Sequence, residues 1–149
     1  HLFNSLHGIS IFVNDLEYMK KYFSGMEMKL LGETENTAMF ECGLEGQFIE
    51  VIQSTEFIDT GDCDKLGHMA FQVNSIADSV WRWGNNDVRC CFQPMMRDEP
   101  LEVKEGTKGN FASDGNEIVW AVTRFGNKFE IMRQDGNTLQ EKFERDHPF

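Results

Sequence analysis

The sequence predicts an α+β protein built from two tandem copies of one βαβββ module. Three observations carry this. A strand pattern over 6–13 runs straight into a helix pattern, and the same pair recurs from residue 66. Each pair is followed by three more strand patterns in the same order. The last strand of each copy holds one glutamate inside an apolar run, Phe48-Ile49-Glu50-Val51-Ile52 and Phe129-Glu130-Ile131-Met132. Module one is expected over about 6–53, module two over about 66–134, and a tail over 138–149, within one domain as a chain of 149 residues usually forms.

Each element has a local reason. In Leu6 to Val13, Ile9, Ile11 and Val13 alternate with Gly8, Ser10 and Phe12, the period of two of a strand with one buried face. Asn14 or Asp15 caps the next helix, whose apolar side is Leu16, Met19, Tyr22 and Phe23, and Ser24-Gly25 is expected to stop it. Strands follow at Met28 to Leu31, Ala38 to Glu41 and Gln47 to Gln53, the last two joined by a hairpin turn holding Gly43 and Gly46. A polar loop, Ser54 to Lys65, separates the copies.

The second copy opens with Leu66 to Val73, where Met69, Phe71 and Val73 alternate with His68, Ala70 and Gln72. Ser75 caps a helix through about Gly84, apolar at Ile76, Val80 and Trp83. Strands are expected at Val88 to Phe92, Ile118 to Val122 and Lys128 to Met132, the last two joined at Phe125-Gly126-Asn127. The insertion from Gln93 to Asn116 is long for a compact domain, and is expected to be either a lid or an unstructured excursion. The tail is weakly amphipathic through Leu139 and Phe143 and carries no visible chemistry.

Composition narrows the function classes. A formal charge of −11 disfavours nucleic-acid phosphates and anionic membranes as partners and suits a small-molecule protein. No apolar run approaches the ~18 residues of a membrane span. No charged segment precedes an apolar one at His1-Leu2-Phe3-Asn4, so no secretory leader is expected and a cytoplasmic setting is. Cys42, Cys63, Cys90 and Cys91 include no C-x-x-C pair, so free thiols in a reducing compartment are expected, with Cys90 and Cys91 facing opposite ways. There is no nucleophile elbow, phosphate loop or dinucleotide fingerprint. Arg97, Lys104 and Lys108 in the insertion could meet an anionic substrate or simply be solvated.

In order and spacing, Phe12-Val13-Asn14-Asp15-Leu16-Glu17, Phe48-Ile49-Glu50-Val51-Ile52, Gly67-His68-Met69-Ala70-Phe71-Gln72-Val73 and Gly126-Asn127-Lys128-Phe129-Glu130-Ile131 resemble the vicinal oxygen chelate superfamily. This superfamily includes glyoxalase I, methylmalonyl-CoA epimerase, extradiol dioxygenases, fosfomycin-resistance enzymes and metal-free bleomycin-binding proteins. The resemblance covers about Leu6 to Gln134. It implies a cupped, mixed sheet of eight strands with the helices outside, and commonly a homodimer. It also implies a divalent transition metal, Ni, Zn, Mn, Co or Fe(II), held by up to four ligands from the first and last strands of the two copies, often His and Glu. Open positions on such a metal let a substrate chelate through two adjacent oxygens while a carboxylate moves a proton.

On this resemblance His68, Glu130 and Glu50 are the candidate metal ligands, with Glu50 and Glu130 also the candidate catalytic carboxylates. Each glutamate needs a partner if buried in its apolar strand, which a metal would supply; each could instead face solvent on an edge strand. His68 lies opposite Met69, Phe71 and Val73, on the side where a ligand belongs. His7 is harder to place. His68 stands five residues before Val73, but His7 stands six before Val13, so Gly8 and not His7 aligns with His68. A one-residue slip turns a strand side chain to the other face, so regular pairing puts His7 with Ile9, Ile11 and Val13. Only a bulge near Gly8 would bring it back as a fourth ligand.

The departure from two histidines weakens a ring-cleaving dioxygenase. Ser10 and Phe12 stand where glyoxalase I typically carries an arginine for glutathione, which points away from glutathione-dependent chemistry. The expected function is a metal-dependent lyase, isomerase or epimerase acting on a small oxygenated substrate. The alternative is a metal-free binding or resistance protein with an aromatic pocket from Phe12, Phe40 and Trp120.

Overall fold

A computed structural model describes residues 2, 6–43, 46–56, 67–112, 115–133, 143 and 145–147. The expected loop over 54–65 and the tail over 138–149 lie mostly outside these residues, as does Cys63. By contacts the chain divides into two units, His1–Thr60 and Gly61–Phe149.

In the first unit, β1 (Gly8–Val13) leads into α1 (Leu16–Gly25), then β2 (Lys29–Glu33), β3 (Thr37–Glu41) and β4 (Phe48–Gln53). The Asp15 carboxylate accepts from the Tyr18 N–H at 3.1 Å and so starts the helix, while the Gln53 side chain accepts from the Leu16 N–H at 3.1 Å and ties that start to β4. The sheet order is β1-β4-β3-β2, with β1 and β4 parallel and the other pairs antiparallel. Leu31 is extra in the β2–β3 pairing, which shifts between Leu30 and Gly32. One face of the sheet packs on α1. Val13, Ala38, Phe40, Ile49 and Val51 are buried there with Leu16, Met19 and Phe23 of the helix, and the Phe23 and Phe40 rings meet edge to face at 5.4 Å. Phe40 is therefore core, not the pocket-lining residue expected of it, because its register places it on the helix side.

The second unit repeats the plan: β5 (His68–Gln72), α2 (Ile76–Asn85), β6 (Cys90–Cys91), β7 (Asn110–Phe111), β8 (Glu117–Val122) and β9 (Lys128–Arg133). The Ser75 hydroxyl accepts from the Asp78 N–H at 3.1 Å and caps α2. The sheet order is β5-β9-β8-β6, with β7 also pairing β8. Again first and last strands run parallel, His68 opposite Lys128 and Ala70 opposite Glu130. Val119, Ala121, Phe129, Ile131 and Cys90 are buried on the face that α2 covers with Ile76, Val80 and Trp83.

The strand count differs from the expected eight: the described residues form one sheet of four strands and one of five. The ninth, β7, lies inside the insertion. That segment is laid on its own unit. A 3-10 turn at Pro94–Met96 follows β6, the Leu101 N–H donates to the Cys90 carbonyl at 2.8 Å, and Met96 and Ala112 pack on Cys91, Ile118, Trp120 and Met132. A two-residue strand carries no readable alternation, which is why β7 is invisible in the sequence.

Both helices end alike, α1 at the expected Gly25 and α2 one residue past the expected Gly84. Gly25 is the last residue of α1 and is buried. The chain turns at Glu27 and Asp87, with φ of 63° and 65°, and the N–H groups two residues past each C-cap, Met28 and Val88, donate to the carbonyls of Phe23 and Trp83 at 3.0 and 2.9 Å. This is the Schellman arrangement, with a left-handed residue that is ordinarily glycine. Replacing Glu27 by glycine is expected to stabilise the protein by up to about 1 kcal/mol, since the left-handed conformation costs a side-chain-bearing residue ~1–2 kcal/mol and glycine gives part of that back as unfolded-state entropy. Urea denaturation reads this; a lower midpoint in Glu27→Gly would contradict it. A second prediction concerns Gly84, where a Cβ would sit 2.5 Å from Cγ2 of Val103. Gly84→Ala gains ~1 kcal/mol of helix propensity but overpacks Val103 at a cost of ~1–3 kcal/mol, so a net loss is expected. Adding Val103→Ala to Gly84→Ala should recover part of the loss in thermal denaturation; a gain from Gly84→Ala alone would show that Val103 moves freely.

Candidate functional site

Each sheet has a second face, away from its helix, and the two glutamates lie on it at equivalent positions. In the first unit Glu50 stands opposite Ser10 on β1 and Met39 on β3. In the second, Glu130 stands opposite Ala70 on β5 and Trp120 on β8. Parallel pairing of first and last strands fixes the rest. Gly8 is paired with Phe48, two residues before Glu50, and His68 with Lys128, two residues before Glu130. Gly8 and His68 are thus equivalent, as the residue count from the shared valines indicates.

The second unit brings two candidate ligands together. His68 Nε2 lies 3.3 Å from Glu130 Oε2, an ion pair whenever the imidazole is protonated. The Glu130 side chain is 17% exposed and that of His68 46%, so the pair is reachable from solvent through the histidine. Trp120, buried beside them, meets the His68 ring edge to face at 5.1 Å. This contact fixes the imidazole plane while leaving its nitrogens free to face Glu130.

The first unit presents different chemistry. The Ser10 hydroxyl donates to Glu50 Oε1 at 3.2 Å, so Glu50 has a side-chain partner of its own. Where the second unit has an imidazole, the first has no room for any side chain. A Cβ on Gly8 would lie 2.6 Å from the Phe48 carbonyl oxygen and 2.7 Å from its ring. His7 does not fill the gap. Pairing runs in unbroken register from Gly8 and Phe48 to Val13 and Gln53, without the bulge that would turn His7 back onto this face. Nor is His7 in the core with Ile9 and Val13. It precedes the first paired residue, is exposed, and sets its ring edge-on to Phe48 at 4.3 Å.

An imidazole nitrogen and a carboxylate oxygen in contact are a donor set that suits a divalent transition metal. They are two donors, however. Among the described residues no group of three or more His, Cys, Asp or Glu gathers within either unit in metal-holding geometry. The residues fit half of a metal site in the second unit and a lone, hydrogen-bonded carboxylate in the first.

The cysteines stand outside this chemistry. Cys42, Cys90 and Cys91 are free thiols. Burial pushes the Cys90 thiol up to about 12, with neighbouring Cys91 adding to the rise, so it is no nucleophile near neutral pH. Of the basic residues in the insertion, Arg97 donates through Nη1 to the Thr123 carbonyl at 3.3 Å, and Lys104 lies 3.8 Å from Glu102 at the surface. Two contributors are plain only with register in hand. Ser10 reaches Glu50, and Lys128 shares the face of His68 and Glu130. The signal for Lys128 was its place two residues before Glu130 in one strand, which puts both on the same side.

No family model matches the chain, and no curated protein matches it in sequence. Solved structures do. The fosfomycin resistance protein FosX of Listeria monocytogenes superposes with a TM-score of 0.62 at 14% identity, over 94% of this chain and 98% of that one. A glyoxalase-family protein of Bacillus anthracis gives 0.61 at 15%, over 89% and 97%. The bleomycin-binding protein in complex with bleomycin gives 0.60 at 7%, over 89% and 100%. With two βαβββ modules in tandem and these structural neighbours, the chain has the fold of the vicinal oxygen chelate superfamily.

Proposed function

We propose that the protein is a metal-dependent lyase or isomerase of the glyoxalase type, acting on a small oxygenated substrate without glutathione. The observation that carries this is the 3.3 Å contact of His68 Nε2 with Glu130 Oε2 on the helix-free face of the second sheet. His68 and Glu130 would supply two donors to a divalent ion. Glu50 is nominated as a further ligand on the resemblance alone. When bound, such an ion polarises substrate oxygens as a Lewis acid. Trp120 orients the His68 ring, and the Ser10 hydroxyl holds one oxygen of Glu50 while leaving Oε2 to take a proton. A structure of the Listeria FosX, also similar in fold, holds Mn(II) and 1S,2S-dihydroxypropylphosphonic acid, which supports a metal and a small oxygenated ligand in this fold. The same proposal takes the protein as a cytoplasmic homodimer.

One observation favours a metal-free binding protein instead. The Gly8–Phe48 contact leaves the first module with no imidazole and no space for one. Phe12, on the face of Gly8 and Ser10 and 56% exposed, would then serve as an apolar platform for a ligand in the first unit. A ring-cleaving dioxygenase fits least, because its iron takes two histidines.

Untagged protein, stripped with chelator, reloaded with Mn(II), Ni(II) or Zn(II) and desalted, is expected to retain close to one metal ion per chain by elemental analysis. His68→Ala and Glu130→Ala should each weaken retention by at least about tenfold, the scale on which supporting residues around a metal already act. Glu50→Ala tests whether the first module contributes. Protein that takes up no metal under any of these conditions would overturn the enzyme proposal, and ligand-induced thermal stabilisation indifferent to chelator would establish the binding protein.

A further inference from the structure

We propose that Lys128 and Arg97 form an oxyanion-binding site beside His68 and Glu130, and that the substrate carries a phosphate or phosphonate group. This rests on the helix-free face of the second sheet being the substrate face.

Four observations lead there. Lys128 opens β9, and strand alternation puts its side chain on the face of Glu130, directly opposite His68 in the parallel pairing. Its ammonium makes no ion pair with any described residue, whereas Glu130, on the same face, lies against His68. Arg97 reaches the same end of the sheet from the insertion. Lys128 is paired across β8 with Val122, and the next residue, Thr123, accepts from Arg97 Nη1 at 3.3 Å. The base of this hairpin is also well fixed. The Thr123 N–H donates to the Asn127 carbonyl at 3.0 Å, and the Thr123 hydroxyl bonds the Asn127 side chain at 3.0 Å.

Charge makes the pair distinctive. The chain has 25 acidic residues against 14 Lys and Arg. In such a protein a half-buried lysine with no direct carboxylate contact stands out, held beside the only His–Glu pair among the described residues. Arg97 spends one guanidinium N–H on a neutral carbonyl. That bond anchors the side chain without neutralising it, and leaves the remaining donors of the fork for an anion. Asp98 and Glu99 follow Arg97 in the chain but are exposed and not paired with it. Two unneutralised cations suit a dianion better than a monoanionic carboxylate, and lysine with arginine is the combination that holds tetrahedral phosphorus oxyanions. Lys104 and Lys108 do not belong to this group, since Lys104 faces Glu102 at the surface and Lys108 is exposed.

The geometry also gives the anion a task. Anchored at the hairpin end by Lys128 and Arg97, a small molecule would lay its next atoms along the strand toward His68 and Glu130. Farther along, Met96 and Ala112 pack on Ile118, Trp120 and Met132. The open part of the face is therefore short, and it selects for a small ligand.

Isothermal titration with methylphosphonate, in phosphate-free buffer containing EDTA, tests this on the untagged chain. Saturable binding is expected, with acetate at equal ionic strength binding at least about tenfold more weakly. Lys128→Met and Arg97→Gln should each weaken methylphosphonate binding about tenfold, the worth of one charge-assisted hydrogen bond, while Lys104→Met leaves it unchanged. If Lys128→Met fails to fold by circular dichroism, Arg97→Gln decides alone. Absence of methylphosphonate binding with and without Mn(II), or binding retained in both site variants, overturns the proposal. Binding seen only in Mn(II)-loaded protein and untouched by both variants also overturns it, and leaves the metal reading standing. Binding in EDTA that both variants remove, in a protein that takes up no metal, supports it and sinks the metal reading instead.

Discussion

The parallel pairing of the first and last strand of each module is the constraint on which the candidate chemistry depends. A parallel pair cannot be closed by a tight turn, so a long connection must intervene, here a helix with two further strands in the first unit and three in the second. That return sets His68 against Lys128 and Ala70 against Glu130, although some 60 residues separate them in sequence. Because alternation is strict along both strands, one register decides the whole face. Shifted by a single residue, Phe129 and Ile131 would take the places of Lys128 and Glu130, and the core would receive the charges.

The helices decide which face is free for chemistry. In both units the helix covers the aliphatic and aromatic side, with Phe23 and Phe40 in one and Val80 and Phe129 in the other among the most deeply buried residues. Polar and ionisable groups are left on the opposite side. What differs between the units is the furniture of that side. One offers Ser10 hydrogen-bonded to Glu50, with Phe48 and Phe12 around them. The other offers an imidazole, a carboxylate, an indole and an ammonium. The duplication is regular in backbone and divergent in function-bearing side chains.

Much of the architecture was legible in the sequence because it is written in local rules. Asp15 and Ser75 announce their helices by capping, and the alternation in Gly8 to Val13 and His68 to Gln72 gives both strand and facing. Counting from Val13 and Val73 correctly set Gly8 against His68 without coordinates. Three things were not legible, each for a physical reason. Strand β7 is too short to show a period. The left-handed turn after each helix is not legible because Glu27 and Asp87, not glycines, take it. Alternation gives the facing of Lys128 and Ser10, but which groups they meet, Ser10 with Glu50 and Lys128 opposite His68, depends on a register between distant strands, which is not a local property. The position of His7 turned on whether a bulge occurs, which a single glycine permits but does not dictate.

The close approach at Gly8 bears on what a duplicated fold can regain. Two copies of a module are often imagined as interchangeable, so that a residue absent from one could be supplied by a single substitution. Here the obstacle at position 8 is a backbone oxygen as well as a ring. Trimming Phe48 would remove the ring and leave the carbonyl where it is. A side chain at position 8 requires the backbone of β1 or β4 to shift, so the asymmetry between the modules lies in the main chain as well as in the side chains. A symmetric pair of imidazoles therefore asks for a movement of the β1–β4 pairing and not only for a substitution at position 8.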